Sequence, residues 1–200
     1  LRGFAGDDRL SGGDGADLLM TDDGEDTVFG GAGDDRIVIT TANLSAGDRI
    51  DGGGGSDRLE LSGGGIADLT TLTVFQSVEI IQLDDLETVL TGGAGGEAIA
   101  GGAAADTLNG GGGDDALQGG LGLDTLAGGL GDDSYFLIAL GDENDLISES
   151  AGEGIDTVTT IFDFDLPDNF ENLILGNTTG PNEGNGNAED NVITGSLFND

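Results

Sequence analysis

Histidine, cysteine, tryptophan and lysine are all missing from this chain of 200 residues. Without cysteine there are no disulfides to staple the fold or to point to an oxidising compartment. Without cysteine and histidine together, the usual zinc, copper and iron–sulfur ligand sets cannot be assembled. Histidine-based proton transfer is excluded within these residues, and neither HExxH nor GxSxG occurs. A carboxylate-only glycosidase pair stays formally open, but no cleft signal accompanies it. Basic charge is scarce too: five arginines face 40 acidic residues, a formal net charge of −35. That balance argues against nucleic acid and anionic membranes as partners. It also predicts that the metal-free chain is expanded or disordered. No Sec-type signal peptide and no membrane-length apolar run is present.

What the chain has in excess is glycine, 41 residues, much of it at a fixed period. Gly110–Phe136 reads GGGGDDALQ, GGLGLDTLA, GGLGDDSYF, three blocks of nine without a gap. Glycine holds positions one, two and four (Gly110, Gly111, Gly113; Gly119, Gly120, Gly122; Gly128, Gly129, Gly131). Aspartate holds position six (Asp115, Asp124, Asp133), and Leu117, Leu126 and Tyr135 hold position eight. The first six residues of a block suit a turn, where glycine adopts backbone angles closed to other residues and lets a carbonyl approach an ion. The last three suit a short strand with position eight facing inward. One block cannot bury its own apolar residue, whereas stacked blocks form a thin continuous core. A low-complexity acidic tract would have no reason to keep an apolar residue at every ninth position.

Stacking also lines up the aspartates. A column of carboxylates at strand spacing repels itself unless cations sit between its members. Calcium, a hard ion that takes six to eight oxygens from carboxylates and carbonyls, suits such a column.

The motif Gly-Gly-x-Gly-x-Asp-x-apolar-x resembles the repeat of the RTX, or haemolysin-type calcium-binding, family. The resemblance implies an all-β fold, a right-handed parallel β-roll or β-solenoid in which two nonapeptides make one coil. Each calcium ion would then bridge a block and the next-but-one block on the same side. It further implies export of an unfolded chain by type I secretion machinery and folding on calcium outside the cell.

A first array runs from Gly3 to Val38. It comprises Gly3–Ser11, with Phe4 in place of the second glycine, Gly12–Met20 (Gly12, Gly13, Gly15), Thr21–Phe29 without its leading glycines, and Gly30–Val38 (Gly30, Gly31, Gly33). Its position-six aspartates are Asp8, Asp17, Asp26 and Asp35, and the resemblance implies ion pairs Asp8/Asp26 and Asp17/Asp35. Ile39–Asp51 breaks the period. Gly52–Glu60 restores a single block with Asp57, whose metal site would need a stacked partner that the sequence does not display. Leu61–Thr91 reads as strands that continue the solenoid without calcium (72–75, 78–83, 88–91), with Gly63–Gly65 as a turn. The second array begins with two decayed blocks, carrying Glu97 and Asp106, before the three full ones. The implied pairs are Glu97/Asp115, Asp106/Asp124 and Asp115/Asp133.

After Tyr135 a capping segment follows, with a near-complete block at Ala151–Thr159 carrying Asp156. Phe170–Leu175 echoes Val78–Leu83, and Phe162, Phe164 and Phe170 read as core or cap packing. The expected units are 1–91 (array 3–38 and 52–60 plus spacer strands), 92–185 (array 92–136 plus capping segment) and 186–200, the start of a third array. The chain begins at Leu1 and stops within an apparent block, so it is expected to be a piece of a longer protein. Carboxylate pairing implies about four to seven calcium ions. The functional expectation is a calcium-binding module of a large, exported bacterial protein, an adhesin or surface-associated protein, secreted or extracellular, with a cell-surface or matrix partner of unknown kind and no catalysis of its own. The alternative is the C-terminal folding module of a secreted metalloprotease, lipase or epimerase whose catalytic domain lies elsewhere. An ice-binding face would need regular threonine rows, which are not found.

Overall fold

The structure, a computed structural model, describes residues 1–139, 141–176 and 182–195. Among these residues every strand pairing is parallel. The only helices described are the 3-10 turns Leu69–Thr71 and Asp142–Asn144. Successive strands fall alternately on two sides of a coil, which is the β-solenoid expected. One side is a single ten-stranded sheet. It runs in chain order through Leu18–Met20, Arg36–Thr40, Arg58–Ser62, Ile80–Leu83, Ala98–Ala100, Ala116–Gln118, Ser134–Leu137, Thr157–Thr160, Asn172–Leu175 and Val192–Thr194.

The other side is divided. Arg9–Asp14, Thr27–Ala32, Arg49–Gly54 and Val74–Gln76 form one sheet. Gly65–Asp68, Thr88–Thr91, Thr107–Gly112, Thr125–Leu130 and Leu146–Ile147 form the next. The division arises in one long coil. Between Arg58–Ser62 and Ile80–Leu83 the chain first runs forward as Gly65–Asp68 to pair with Thr88–Thr91, then returns as Val74–Gln76 to pair with Arg49–Gly54. The sequence reading placed a turn at Gly63–Gly65 and a strand at 72–75. Instead Gly65 opens a strand, and Leu72 turns into the core, moving the strand to Val74–Gln76.

Position eight of each block does what a thin core needs. Leu19, Ile37, Leu59, Ile81, Ile99, Leu117, Tyr135, Val158 and Leu173 line the inner face of the ten-stranded sheet, and all are buried. Leu10, Val28, Ile50, Leu90, Leu108, Leu126 and Ile147 face them. The echo between the two spacers is structural: Val78 is buried just before the strand that buries Ile81 and Leu83, as Phe170 is just before the strand that buries Leu173 and Leu175. Phe170 also packs edge-on against Tyr135, ring centroids 5.2 Å apart.

The break at Ile39–Asp51 is an insertion in a turn, and stacking continues through it. Asp26 meets Asp48 across 22 residues where Asp8 meets Asp26 across 18. Register survives because Asp48-Arg49-Ile50 keeps the aspartate–x–apolar spacing, and Ile50 pairs with Val28. The block at Gly52–Glu60 is therefore stacked, with Leu59 beside Ile37 on one side and Ile81 on the other. Val192–Thr194 continues the ten-stranded sheet, while residues 196–200 of the expected third array lie outside the described residues.

Leu117→Ala should cost about 2–5 kcal/mol of folding stability, because the side chain is wholly buried in a core one residue wide. Denaturant unfolding in saturating calcium measures this. Leu121→Ala, at an exposed turn position, should stay within about 0.5 kcal/mol of the parent.

Candidate metal centre

The glycines of a block serve two different purposes. At positions two and four the backbone has positive φ: Gly13, Gly15, Gly31, Gly33, Gly111, Gly113, Gly120, Gly122, Gly129 and Gly131. Gly113, at φ 98°, shows the reason for glycine there, since L side chains rarely adopt that conformation. Position one is different. Gly12, Gly30, Gly110, Gly119 and Gly128 have no such φ, but each stands against the side chain of its own position-six aspartate. A Cβ at Gly12 would lie 2.7 Å from Asp17 Oδ2, and at Gly101 2.8 Å from Asp106 Oδ2. The carbonyl oxygen of the next coil crowds the same spot: Gly30 at Gly12, Gly119 at Gly101, and Gly128 at Gly110. Each turn is thus a cradle in which a carboxylate oxygen and a glycine carbonyl converge.

Every implied pair is joined by one hydrogen bond of a repeated kind. The backbone N–H of one position-six residue donates to Oδ1 of the aspartate a coil further on. This links Asp8 to Asp26 (3.0 Å), Asp17 to Asp35 (2.8 Å), Glu97 to Asp115 (2.7 Å), Asp106 to Asp124 (2.7 Å) and Asp115 to Asp133 (2.7 Å). Asp8/Asp26 forms although the turn at Thr21 and Asp22 lacks its leading glycines. The columns extend beyond the sequence reading. Asp26 donates to Asp48, Asp35 to Asp57, Asp57 to Glu79, Asp124 to Asp145, Asp133 to Asp156 and Asp156 to Glu171. Asp57 thereby gains the partners that its apparently solitary block lacked.

One oxygen of each carboxylate is spent on this ladder, and the other is not. Oδ2 of Asp26, Asp35, Asp57, Asp115, Asp124 and Asp133 is buried without a hydrogen-bond partner. A buried, unpartnered carboxylate oxygen is costly, because the water it gave up is not replaced. Burial pushes the Asp115 carboxyl up to about 7 and Asp133, Asp145 and Asp156 to about 6, partly offset by the ladder N–H and reinforced by neighbouring acids. Asp26, Asp57, Asp106 and Asp124 are raised for the same reason. The donor set fits calcium: hard oxygens only, an unspent carboxylate oxygen in most full blocks, and a carbonyl beside it.

Two positions depart from the pattern. Glu97, pushed up to about 7 chiefly by burial, bends back so that Oε2 accepts from Gly93 of its own turn. Asn191 takes position six in Gly186–Thr194, and its neutral amide accepts from the Asn187 N–H and donates to the Phe170 carbonyl. That block satisfies itself without a charge.

The RTX calcium-binding nonapeptide repeat model matches this chain in four copies, at residues 2–37, 45–65, 91–126 and 100–135. Together they cover about half of the chain, which belongs to the RTX calcium-binding repeat family. The second copy spans both Asp48 and Asp57, as the stacking through the insertion requires. A comparison with curated proteins finds no match.

Gly110→Ala should weaken calcium binding about tenfold or more, since overpacking a tight site costs about 1–3 kcal/mol. Gly112→Ala is the control: its nearest neighbour would be 3.8 Å away, and its affinity by calorimetry should match the parent's.

The raised carboxyls also fix a pH dependence. Between the ordinary aspartate value and about 7, the metal-free fold binds more protons than the unfolded chain. Stability without metal should therefore fall as pH rises from 4 towards 7, and acidification in chelator should promote structure. With calcium the trend reverses in this window, because protons compete for the same oxygens. Circular dichroism at several pH values, with chelator and with calcium, checks both signs.

Proposed function

We propose that this chain is a calcium-triggered folding module of a larger exported bacterial protein, and that the solenoid itself is the working, surface-associated or adhesive part. The observation that carries the reading is the row of buried carboxylates with one oxygen unspent. A bound calcium ion supplies the positive charge and oxygen coordination that such a row lacks. The chain's own residues do the rest: the glycines open the cradles, the ladder N–H groups orient the carboxylates, and position eight closes the core.

Because the sites exist only when coils are stacked, binding free energy becomes folding free energy. Extracellular calcium modules commonly bind at roughly 10⁻⁴–10⁻³ M. Such sites stay empty inside a cell and fill outside it. This suits a chain that leaves unfolded through type I secretion machinery, and the charge of −35 keeps it open until then. Catalysis is not proposed for these residues. The alternative role, as folding module of a secreted enzyme, is less favoured because the array-and-spacer plan occurs twice, with Val78–Leu83 and Phe170–Leu175 equivalent.

Calcium titrated into metal-free protein should produce a cooperative coil-to-β transition by circular dichroism, with no comparable change in magnesium. A chain already β-rich in chelator at neutral pH would contradict the trigger.

A further inference from the structure

The column through Asp115, Asp133 and Asp156 leaves the last full repeat in a way that the repeats do not explain. At several earlier blocks the position-one N–H donates to a main-chain carbonyl of the next coil, as Gly92 does to Asn109 (2.8 Å) and Gly101 to Gln118 (2.9 Å). At Gly128 that acceptor is a side chain. The N–H donates to Oε1 of Glu149 at 2.9 Å, and the Tyr135 hydroxyl donates to the same oxygen. Glu149 belongs to no nonapeptide. It lies in the segment between Leu146–Ile147 and Ala151–Thr159, so a carboxyl group stands where earlier turns offer a main-chain carbonyl.

Two further carboxylates meet it. One oxygen from each of Asp133, Glu149 and Asp156 lies within 4.8 Å of the others. Asp133 and Asp156 are each 1% exposed. Asp133 Oδ2 and Glu149 Oε2 are buried and have no hydrogen-bond partner. No cationic side chain is available to balance them: the five arginines are Arg2, Arg9, Arg36, Arg49 and Arg58.

We propose that Glu149 joins the ladder pair Asp133/Asp156 in a three-carboxylate site for a hard divalent cation, calcium by its donor set, which fastens the capping segment to the last repeat. The inference rests on the calcium-module reading above but concerns a site of different make-up. Three carboxylates bring more charge than the repeats' carboxylate-and-carbonyl cradles. Affinity for calcium rises with ligand charge, so this site fills first. Tyr135, held by Glu149 and packed on Phe170, ties its occupancy to the cap's aromatic core.

The chain has one tyrosine and no tryptophan, so Tyr135 is a built-in reporter. The test compares the whole 200-residue chain with its Glu149→Gln variant. Bound calcium is counted by native mass spectrometry, and tyrosine fluorescence is followed during calcium titration. Glutamine keeps an oxygen for Gly128 and Tyr135 while removing the charge. The variant should bind one ion fewer, its tyrosine response should move to at least tenfold higher calcium, and its stability in chelator should be unchanged or greater.

Equal ion counts and superimposable tyrosine titrations would overturn this site and leave the module reading intact. A parent chain that binds no calcium would overturn both. If the variant does not fold, terbium titrated into the parent decides. Emission sensitised through Tyr135 should saturate with the first equivalent, and emission that rises only as the later sites fill would contradict the proposal.

Discussion

Like charges buried one strand spacing apart are the constraint on which this structure turns. Parallel strands sit about 4.8 Å from their neighbours, so a residue repeated once per coil is repeated in space at that interval. When that residue is aspartate and is buried, each coil added to the stack adds a charge to a column of its own sign. The N–H ladder through Asp106, Asp124 and Asp145, and through Asp115, Asp133 and Asp156, orients these groups but brings no positive charge to them. Backbone hydrogen bonds alone do not offset the burial, as the upward displacement of these carboxyls shows. A cation between the coils would turn the same arrangement from a liability into a cohesive force.

The slender core makes that force necessary. Many half-coils contribute one inward apolar residue, such as Leu108 or Leu117, and others add a second two positions on, as Ile39 follows Ile37 and Leu61 follows Leu59. A solenoid of this kind gains stability from neighbour-to-neighbour stacking and has no central mass of side chains. The same economy explains its tolerance of insertions. The turn preceding Asp48 is four residues longer than its counterpart (22 against 18). The coil preceding Glu171 is shorter, 15 residues from Asp156. Neither disturbs the register of aspartate and apolar residue, because extra length is absorbed where the chain faces water.

Much of this was legible in the sequence because position and chemistry repeat together. Asp115, Asp124 and Asp133 with Leu117, Leu126 and Tyr135 state the fold, the core and the ladder in one pattern. Asp48 was hidden because a nine-residue ruler fails across the insertion, although Asp48-Arg49-Ile50 keeps the local spacing that would have found it. Glu149 has no repeat to mark it, since its place is set by how the chain leaves the last coil. The doubling back of the coil at Gly65–Asp68 was equally silent. The reason for glycine at position one was misread as conformational in part: Gly12 and Gly101 are there to leave room for Asp17 and Asp106 beside the next coil's carbonyl.

If bound ions hold the stack, its stability must depend on them. The unfolding midpoint as a function of free calcium tests it directly, because a ligand bound only by the folded state raises stability by RT ln(1 + [L]/Kd) for each site. The midpoint should climb steeply and continuously with log calcium, with a slope equal to several ions released per chain. A midpoint that does not move between chelator and millimolar calcium would mean that the apolar column and the backbone ladder hold the solenoid by themselves.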